Sequence, residues 1–444
     1  MPNSNSACYA DVTMQSGAFY WISIISVIAL AALAMQVLFE PGLRYEVVGD
    51  LPDVGTREFR SLVSALVDEP LMDAAGVEVL TNGGSFYESE LAAIRDARQS
   101  IHIEAYIFHP SEVADRFIRA LEEKSRDGVK VRLVIDAIGS AMTPQGYFSR
   151  LRAAGGQVMW YQPVRWRTLK RFNNRTHREV MVIDGEVGFI GGAGVAVWWV
   201  SGDGNGPAWR DTMVRVCGPL AVALQTSFVE NWLESAGEIL AIAQDFPSCL
   251  TPPEQPQNLP NNWGLVVNSS PSAGKATRAR MLFQLLIASA RHSIKINSPY
   301  FMPDRSMQRE LAAAVRRGVA VDVIVPGKLN NHPIARRASR RRYGALLAAG
   351  VRLHEYQPSM IHAKVLVVDQ SWSVVGSTNF DNRSFGLNDE VNLAVHGQTL
   401  AHRLEVDFEA DLKRCLPVSI EEWKRRSFAE RTLAALGMIL ERQQ

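Results

Sequence analysis

Two histidines in this chain stand in matching surroundings. In the segment Met360 to Asp369, His362 and Lys364 are two residues apart, so on a strand they point to the same side, and the run VLVV leads on to Asp369. A neutral imidazole can attack phosphorus or protonate a leaving oxygen, and an ammonium beside it offsets the charge that builds on phosphoryl oxygens. Gly376-Ser377-Thr378-Asn379 follows, where small residues let backbone approach an anion and Ser377 and Asn379 can donate to its oxygens. Glu390 comes next, in the strand-like run DEVNLAV. These residue types at these spacings make a half-site for phosphate esters.

The other histidine has an altered version of the same pattern. Thr176-His177-Arg178-Glu179 is followed by VMVI and Asp184, and then by Gly191-Gly192-Ala193-Gly194, which has no Asn. Glu179 stands where the second copy has Lys364, on the strand face of His177. A carboxylate about 4 Å from a bound phosphate would repel it by roughly 4 kcal/mol at an effective dielectric of 20. Three outcomes are open. Arg175 or Arg178 replaces the lost cation, Glu179 is protonated or turned away, or the usual substrate is no longer turned over. Arg178 is the poorest substitute, because strand alternation points it to the opposite face.

The elements that position these residues are written twice. VEVL at Val77 to Leu80 precedes a stretch ending Ala97-Arg98-Gln99-Ser100 and the run IHIEAYIF. GLVV at Gly264 to Val267 precedes one ending Ala290-Arg291-His292-Ser293 and the run IKINSPYF. Each copy continues into a Gly-Val strand, at Gly128 and Gly318, and an Ala-Ala-Gly helix end, at Ala153 to Gly155 and Ala348 to Gly350. The pattern predicts an α/β protein of two repeated lobes, each a central β-sheet flanked by helices, related by pseudo-twofold symmetry. We place an N-terminal tail at 1–17, an apolar span at 18–39, a linker at 40–70 and a first lobe at 71–245, with its motif at 171–198. A Pro-rich linker at 246–262 leads to a second lobe at 263–430, with its motif at 356–384, and a C-terminal helix at 421–444.

Residues 18–39 carry no charge, and at 1.5 Å per residue they are long enough to cross a hydrocarbon core of about 30 Å. Arg44, Arg57 and Arg60 follow the span and nothing basic precedes it but the amino terminus. The sequence therefore predicts a single-pass anchor with the lobes in the cytoplasm. Lys plus Arg (47) nearly balance Asp plus Glu (46), which argues against a dedicated nucleic-acid binder. The four cysteines lack the short spacings of zinc or redox motifs, so neither a metal site nor a required disulfide is expected. Arg336, Arg337, Arg340, Arg341 and Arg342 are expected on one helix, either as a solvated face or as an attractor of anionic lipid headgroups. Trp198 and Trp199 are open to ordinary packing, an acyl-chain groove or the membrane interface.

H-x-K-x4-D followed by G-S-x-N resembles the signature of the phospholipase D superfamily, over roughly residues 77 to 430. Within it, Ser298-Pro299-Tyr300-Phe301-Met302-Pro303-Asp304, Asn379-Phe380-Asp381-Asn382-Arg383-Ser384-Phe385 and Trp209-Arg210-Asp211 resemble bacterial cardiolipin synthases. The resemblance implies a covalent phosphohistidine, with His177 and His362 as nucleophile and general acid in an order left open, Lys364 as phosphate cation, and no metal or organic cofactor. It implies a catalytic set of His177, His362, Lys364, Asp184, Asp369, Asp211 and Glu390. Asp211 is expected to orient His177 and Glu390 to orient His362, with Asp184 and Asp369 organising the half-sites. Phosphate would be bound by Gly376, Ser377 and Asn379. The implied partners are a phospholipid such as phosphatidylglycerol and the bilayer of a bacterial inner membrane. The implied reaction joins two phosphatidylglycerols and releases glycerol. Hydrolysis of a phosphodiester, a nuclease, and a non-catalytic lipid-binding member are the alternatives.

Overall fold

The computed structural model describes residues 20–28, 30, 45–163, 173–204, 206–240, 262–271 and 277–426. Of the predicted span, 20–28 and 30 are helical and mostly exposed, and the rest lies outside the described residues. So do the 1–17 tail, the Pro-rich linker apart from Asn262, and the C-terminal helix beyond residue 426. Among the described residues, no helix is long and apolar enough to cross a membrane.

The repeated runs form two sheets of the same strand order. In the first, β2 (Val77–Thr81), β3 (Ser100–Ala105), β4 (Lys130–Asp136), β5 (Gln157–Tyr161), β7 (Val180–Ile183), β8 (Val187–Gly191) and β9 (Thr212–Cys217) lie in the order β2-β9-β8-β7-β3-β4-β5. In the second, β10 (Trp263–Ser269), β11 (Ser293–Asn297), β12 (Ala320–Pro326), β13 (Arg352–Tyr356), β14 (Val365–Val368), β15 (Trp372–Gly376) and β16 (Asn388–His396) repeat it as β10-β16-β15-β14-β11-β12-β13. β17 (Cys415–Pro417) extends that sheet at β13. β3, β4 and β5 pair in parallel through helical crossovers, as do β11, β12 and β13, while the remaining pairings along each order are antiparallel.

Strand alternation splits each central strand between two cores. Met181 and Ile183 of β7 face the helices of their own lobe, whereas Val180 and Val182 meet Val365 and Val367 of β14 in a core shared by the sheets. Leu366 and Val368 face the second lobe's helices. This explains why VMVI and VLVV are apolar at every position.

Two short pieces of the first half join the second sheet. β1 (Met72–Asp73) pairs with β10, and β6 (Arg175–Thr176) runs parallel to β16, with Asn388 opposite Arg175 and Asp389 opposite Thr176. The segment expected as a linker at 40–70 contains a helix, Arg57–Val67. Its stripe of Phe59, Val63 and Val67 is buried in the second lobe's core. Trp372 Nε1 donates to Val54 O at 2.9 Å, which fastens this segment to β15.

The Asp that closes each motif sits at the turn after its strand in the left-handed region, Asp184 at φ 55° and Asp369 at φ 50°. Asp184 accepts from the backbone amides of Arg98, Gln99 and Ser100, and Asp369 from those of Arg291, His292 and Ser293, at 2.7–2.9 Å. Each carboxylate thus ties the end of its motif strand to the start of the neighbouring antiparallel strand, β3 or β11. Asp184→Ala and Asp369→Ala each leave three backbone donors without their acceptor and gain left-handed strain in a partly solvated turn. We expect each to cost about 1–2 kcal/mol, read as a lower denaturation midpoint, while Asn at either position recovers part of the loss.

Candidate active site

The strand ends bring both histidines to the seam between the lobes. His177 follows β6, and its amide donates to Asp389 O at 2.9 Å, so the first lobe's histidine is held by the second lobe's β16. The other side is stitched in the opposite sense. Arg210 N donates to Met360 O at 2.8 Å and His362 N to Arg210 O at 2.7 Å.

The carboxylates follow this exchange. His362 Nδ1 lies 2.9 Å from Asp211 Oδ2, and His177 Nδ1 lies 3.1 Å from both Glu390 oxygens. The expected pairing within each copy is therefore reversed. Asp211 serves His362 and Glu390 serves His177, because the backbone carrying each histidine crosses to the other lobe. With Nδ1 of each ring committed to a carboxylate, Nε2 is the nitrogen left for substrate. Burial pushes Asp211 up, but the bond from His362 and the charge of Lys364 outweigh it and hold Asp211 below its usual range.

Lys364 lies against His362, with Nζ 2.9 Å from Nδ1 and 3.1 Å from Nε2. Burial pulls the lysine down to about 8, against the pull of Asp211 and Glu390. Burial and this ammonium together lower His362 to about 4. The lysine stem rests on the first lobe at Gly192, where a Cβ would meet Lys364 Nζ at 3.0 Å and Asp211 Oδ1 at 3.1 Å.

Glu179 is turned away from this centre. Its carboxyl accepts from Ile107 N at 3.3 Å, inside the first lobe, and borders a cavity of about 20 Å³ together with Glu90 and Glu104. Burial raises Glu179 well above the usual carboxylate range, with its backbone hydrogen bonds and Lys364 opposing. A Cβ on Gly194 would lie 2.3 Å from Ile107 O and 2.8 Å from Glu179 Oε1, so the missing Asn and the added Glu are one steric change. Neither arginine takes the lysine's place. Arg175 binds Gln162 O and Asn174 O and lies 3.6 Å from Asp136, while Arg178 binds Ser227 O, Glu230 and Ser270.

The expected phosphate donors divide. Ser377 gives its hydroxyl to Glu390 Oε2 and so orients the carboxylate that orients His177. At Gly376 a Cβ would strike Val391 O at 2.3 Å, so this glycine serves strand packing. Asn379 is buried with its Oδ1 unpaired among the described residues. Asp184 and Asp369 bond backbone amides rather than an imidazole, and so stand apart from the reacting set.

Aromatic walls complete the site. Trp199 and Trp209 pack on His362 with centroids 5.6 and 5.4 Å away, and Trp199 Nε1 donates to Asp211 Oδ2 at 2.8 Å. Tyr106 stands edge-on to His177 at 5.1 Å. Tyr106 is missed by motif reasoning, because it follows β3 where the second copy has Pro299. Of the arginine group, Arg336 and Arg340 pair with Glu355, while Arg337 and Arg341 are exposed.

Comparison with known proteins agrees with this arrangement. The family model for the cardiolipin synthase phospholipase D-like domain matches residues 91–203 and 284–412, which together carry both histidine motifs and Glu390, while Asp211 lies just beyond the first range. The chain is 34% identical over 388 residues to a cardiolipin synthase of Geobacillus kaustophilus (strain HTA426), covering 86% of this chain and 75% of that one. It is 32% identical over 367 residues to a cardiolipin synthase of Listeria monocytogenes serotype 4a (strain HCC23), covering 82% and 74%. The crystal structure of a phosphatidylserine synthase of Haemophilus influenzae Rd KW20 shares the fold, with a TM-score of 0.64 at 15% identity, over 86% of this chain and 99% of that one. The chain belongs to the cardiolipin synthase family of phospholipase D-like proteins, and is a phosphatidyltransferase of that superfamily.

Proposed function

We propose that this protein makes cardiolipin from two phosphatidylglycerols, releasing glycerol, through a phosphatidyl-histidine at the seam between its lobes. The observation that carries this reading is the crossed pair of imidazoles, His177 on Glu390 and His362 on Asp211, around the single ammonium of Lys364. One ring attacks the phosphorus while the other protonates the leaving glycerol oxygen and then deprotonates the incoming hydroxyl. Lys364 offsets the growing phosphoryl charge, and the amide Nδ2 of Asn379 is the group of the Gly-Ser-Thr-Asn turn that can donate to the ester oxygens. The burial of His362, Lys364 and Asp211 beneath Trp199 and Trp209 supports transfer to a lipid hydroxyl over transfer to water.

The lobes are taken as related by a pseudo-twofold axis, which the repeated strand order supports. Residues 18–39 are taken as an anchor in the bacterial inner membrane, with the lobes on its cytoplasmic side. That placement puts the site beside its lipid substrates.

Full-length protein on phosphatidylglycerol vesicles should release cardiolipin and glycerol, scored by mass spectrometry. His362→Ala should reduce the rate by at least ~10³-fold and Lys364→Met by about 10²–10³-fold. Phosphatidic acid as the only lipid product would replace the synthase reading with a hydrolase.

The inward carboxyl of Glu179 keeps negative charge off the phosphate as long as it stays protonated. Glu179→Gln should therefore turn over within about threefold of wild type, whereas Glu179→Lys, placing a charge against the Tyr106–Ile107 amides, should lose roughly 2 kcal/mol of stability with no gain in rate. Burial also raises Glu90, to about 8. An acid whose folded pKa is raised gives stability that is complete below its unfolded value of about 4.5 and is lost as pH rises through the folded value. The melting temperature should thus fall from pH 5 toward pH 8, and a Glu90→Gln, Glu179→Gln double variant should flatten that decline.

A further inference from the structure

The two half-sites differ in the charges that face their rings, and this difference divides the labour between the histidines. Resting on the phosphatidyl-transfer reading above, we infer that His362 is the nucleophile that carries the phosphatidyl group and His177 is the proton donor and acceptor. Against His362 lie the Lys364 ammonium, the Asp211 carboxylate, and the rings of Trp199 and Trp209. An ammonium in contact with a ring opposes a second proton on it, and His362 is accordingly held neutral, down at about 4. Asp211 fixes the remaining proton on Nδ1, which leaves the Nε2 lone pair for phosphorus.

Against His177 lie both oxygens of Glu390 from β16 and the Tyr106 ring, and Asp381 from the loop after β15 interacts with it electrostatically, burial holding that carboxyl up at about 6. Lys364 is close enough to reach Glu390 electrostatically but touches the other ring. Its counterpart on the strand of His177 is Glu179, turned onto the Ile107 amide. With Nδ1 on Glu390 and Lys364 lying on the other ring, His177 keeps Nε2 for passing a proton to and from the substrate oxygens, as a general acid must.

In the first step Lys364 turns from the ring to the phosphoryl oxygens and His362 Nε2 forms a bond to phosphorus. The bond from phosphorus to the leaving glycerol oxygen breaks, and the electron pair on that oxygen takes the proton from His177 Nε2. In the second step the acceptor hydroxyl gives its proton to His177 Nε2 and its oxygen bonds phosphorus. The P–N bond breaks and its electron pair returns to His362, which restores both rings.

The test uses full-length protein and a phosphatidyl ester of p-nitrophenol, a leaving group that departs without a proton. His177→Ala and His177→Asn, checked for wild-type melting, should release about one equivalent of p-nitrophenolate per enzyme and then stall, with the phosphatidyl adduct mapped by mass spectrometry to His362. His362→Ala should release none. A burst from His362→Ala, or an adduct on His177, would overturn the assignment. Alkaline quenching of the wild type during turnover of phosphatidylglycerol maps the adduct with no substitution, and a site other than His362 overturns it equally. A wild type inert toward both esters would sink the phosphatidyl-transfer reading itself, an outcome separate from a reversed adduct.

Discussion

The site depends on an exchange of backbone between the lobes. His177 is anchored through β6 to β16, and His362 is anchored to Arg210, just before the start of β9. Each histidine therefore belongs to one lobe's chain and takes both its backbone anchor and its carboxylate from the other lobe. A small rotation of one lobe would break the backbone bonds and the imidazole–carboxylate bonds together. The apolar core shared by β7, β8, β9, β14, β15 and β16 resists such a rotation, because its side chains interdigitate at interior density. Guanidinium bonds add to it, since Arg210 spans Asp411, Asp211 O and Thr212 across the seam.

Within that frame the distribution of charge is uneven. A buried ammonium is costly unless paired, and Lys364 feels Asp211, Glu390, Glu179 and Asp381, with Asp211 exerting the largest pull. Had Glu179 been a lysine in the same inward pose, a second ammonium would have met the Tyr106 and Ile107 amides, which are donors with nothing to offer a cation. The carboxyl suits that pocket, because it accepts from the amides and burial keeps it neutral. The first lobe has thus given up a phosphate cation and kept its histidine.

Much of the fold could be read from the repeat. VEVL, IHIEAYIF and GVKVRLVID became β2, β3 and β4, and their second-half counterparts became β10, β11 and β12. Gly155 and Gly350, read as helix ends, adopt φ of 103° and 94°. Residues 57–67 were less legible, because a three-residue apolar stripe between charges looks the same on a linker as on a docked helix. The histidine partners were illegible for a different reason. Proximity along the chain favours Asp211 for His177 and Glu390 for His362, and nothing local announces that Thr176 or Ile361 pairs with the opposite lobe. Separations of 213 and 151 residues are set by topology and lie beyond any motif.

The glycines of the first motif show how a duplicated site becomes asymmetric without losing its geometry. Gly192 replaces the counterpart of Ser377, and only hydrogen at that position leaves room for the Lys364 stem beside Asp211. Ser377 in turn orients Glu390, and a serine at 192 could do the same for Asp211 only by displacing the lysine. Trp199 Nε1 supplies the missing donor to Asp211 instead. Gly194 makes room for the inward Glu179 in the same way. Each departure from the duplicated pattern thus has a steric partner across the seam or within the lobe. The altered first motif and the intact second one are complementary halves of a single site, whose motif lysine, Lys364, lies on His362 and reaches the Glu390 that holds His177 only electrostatically.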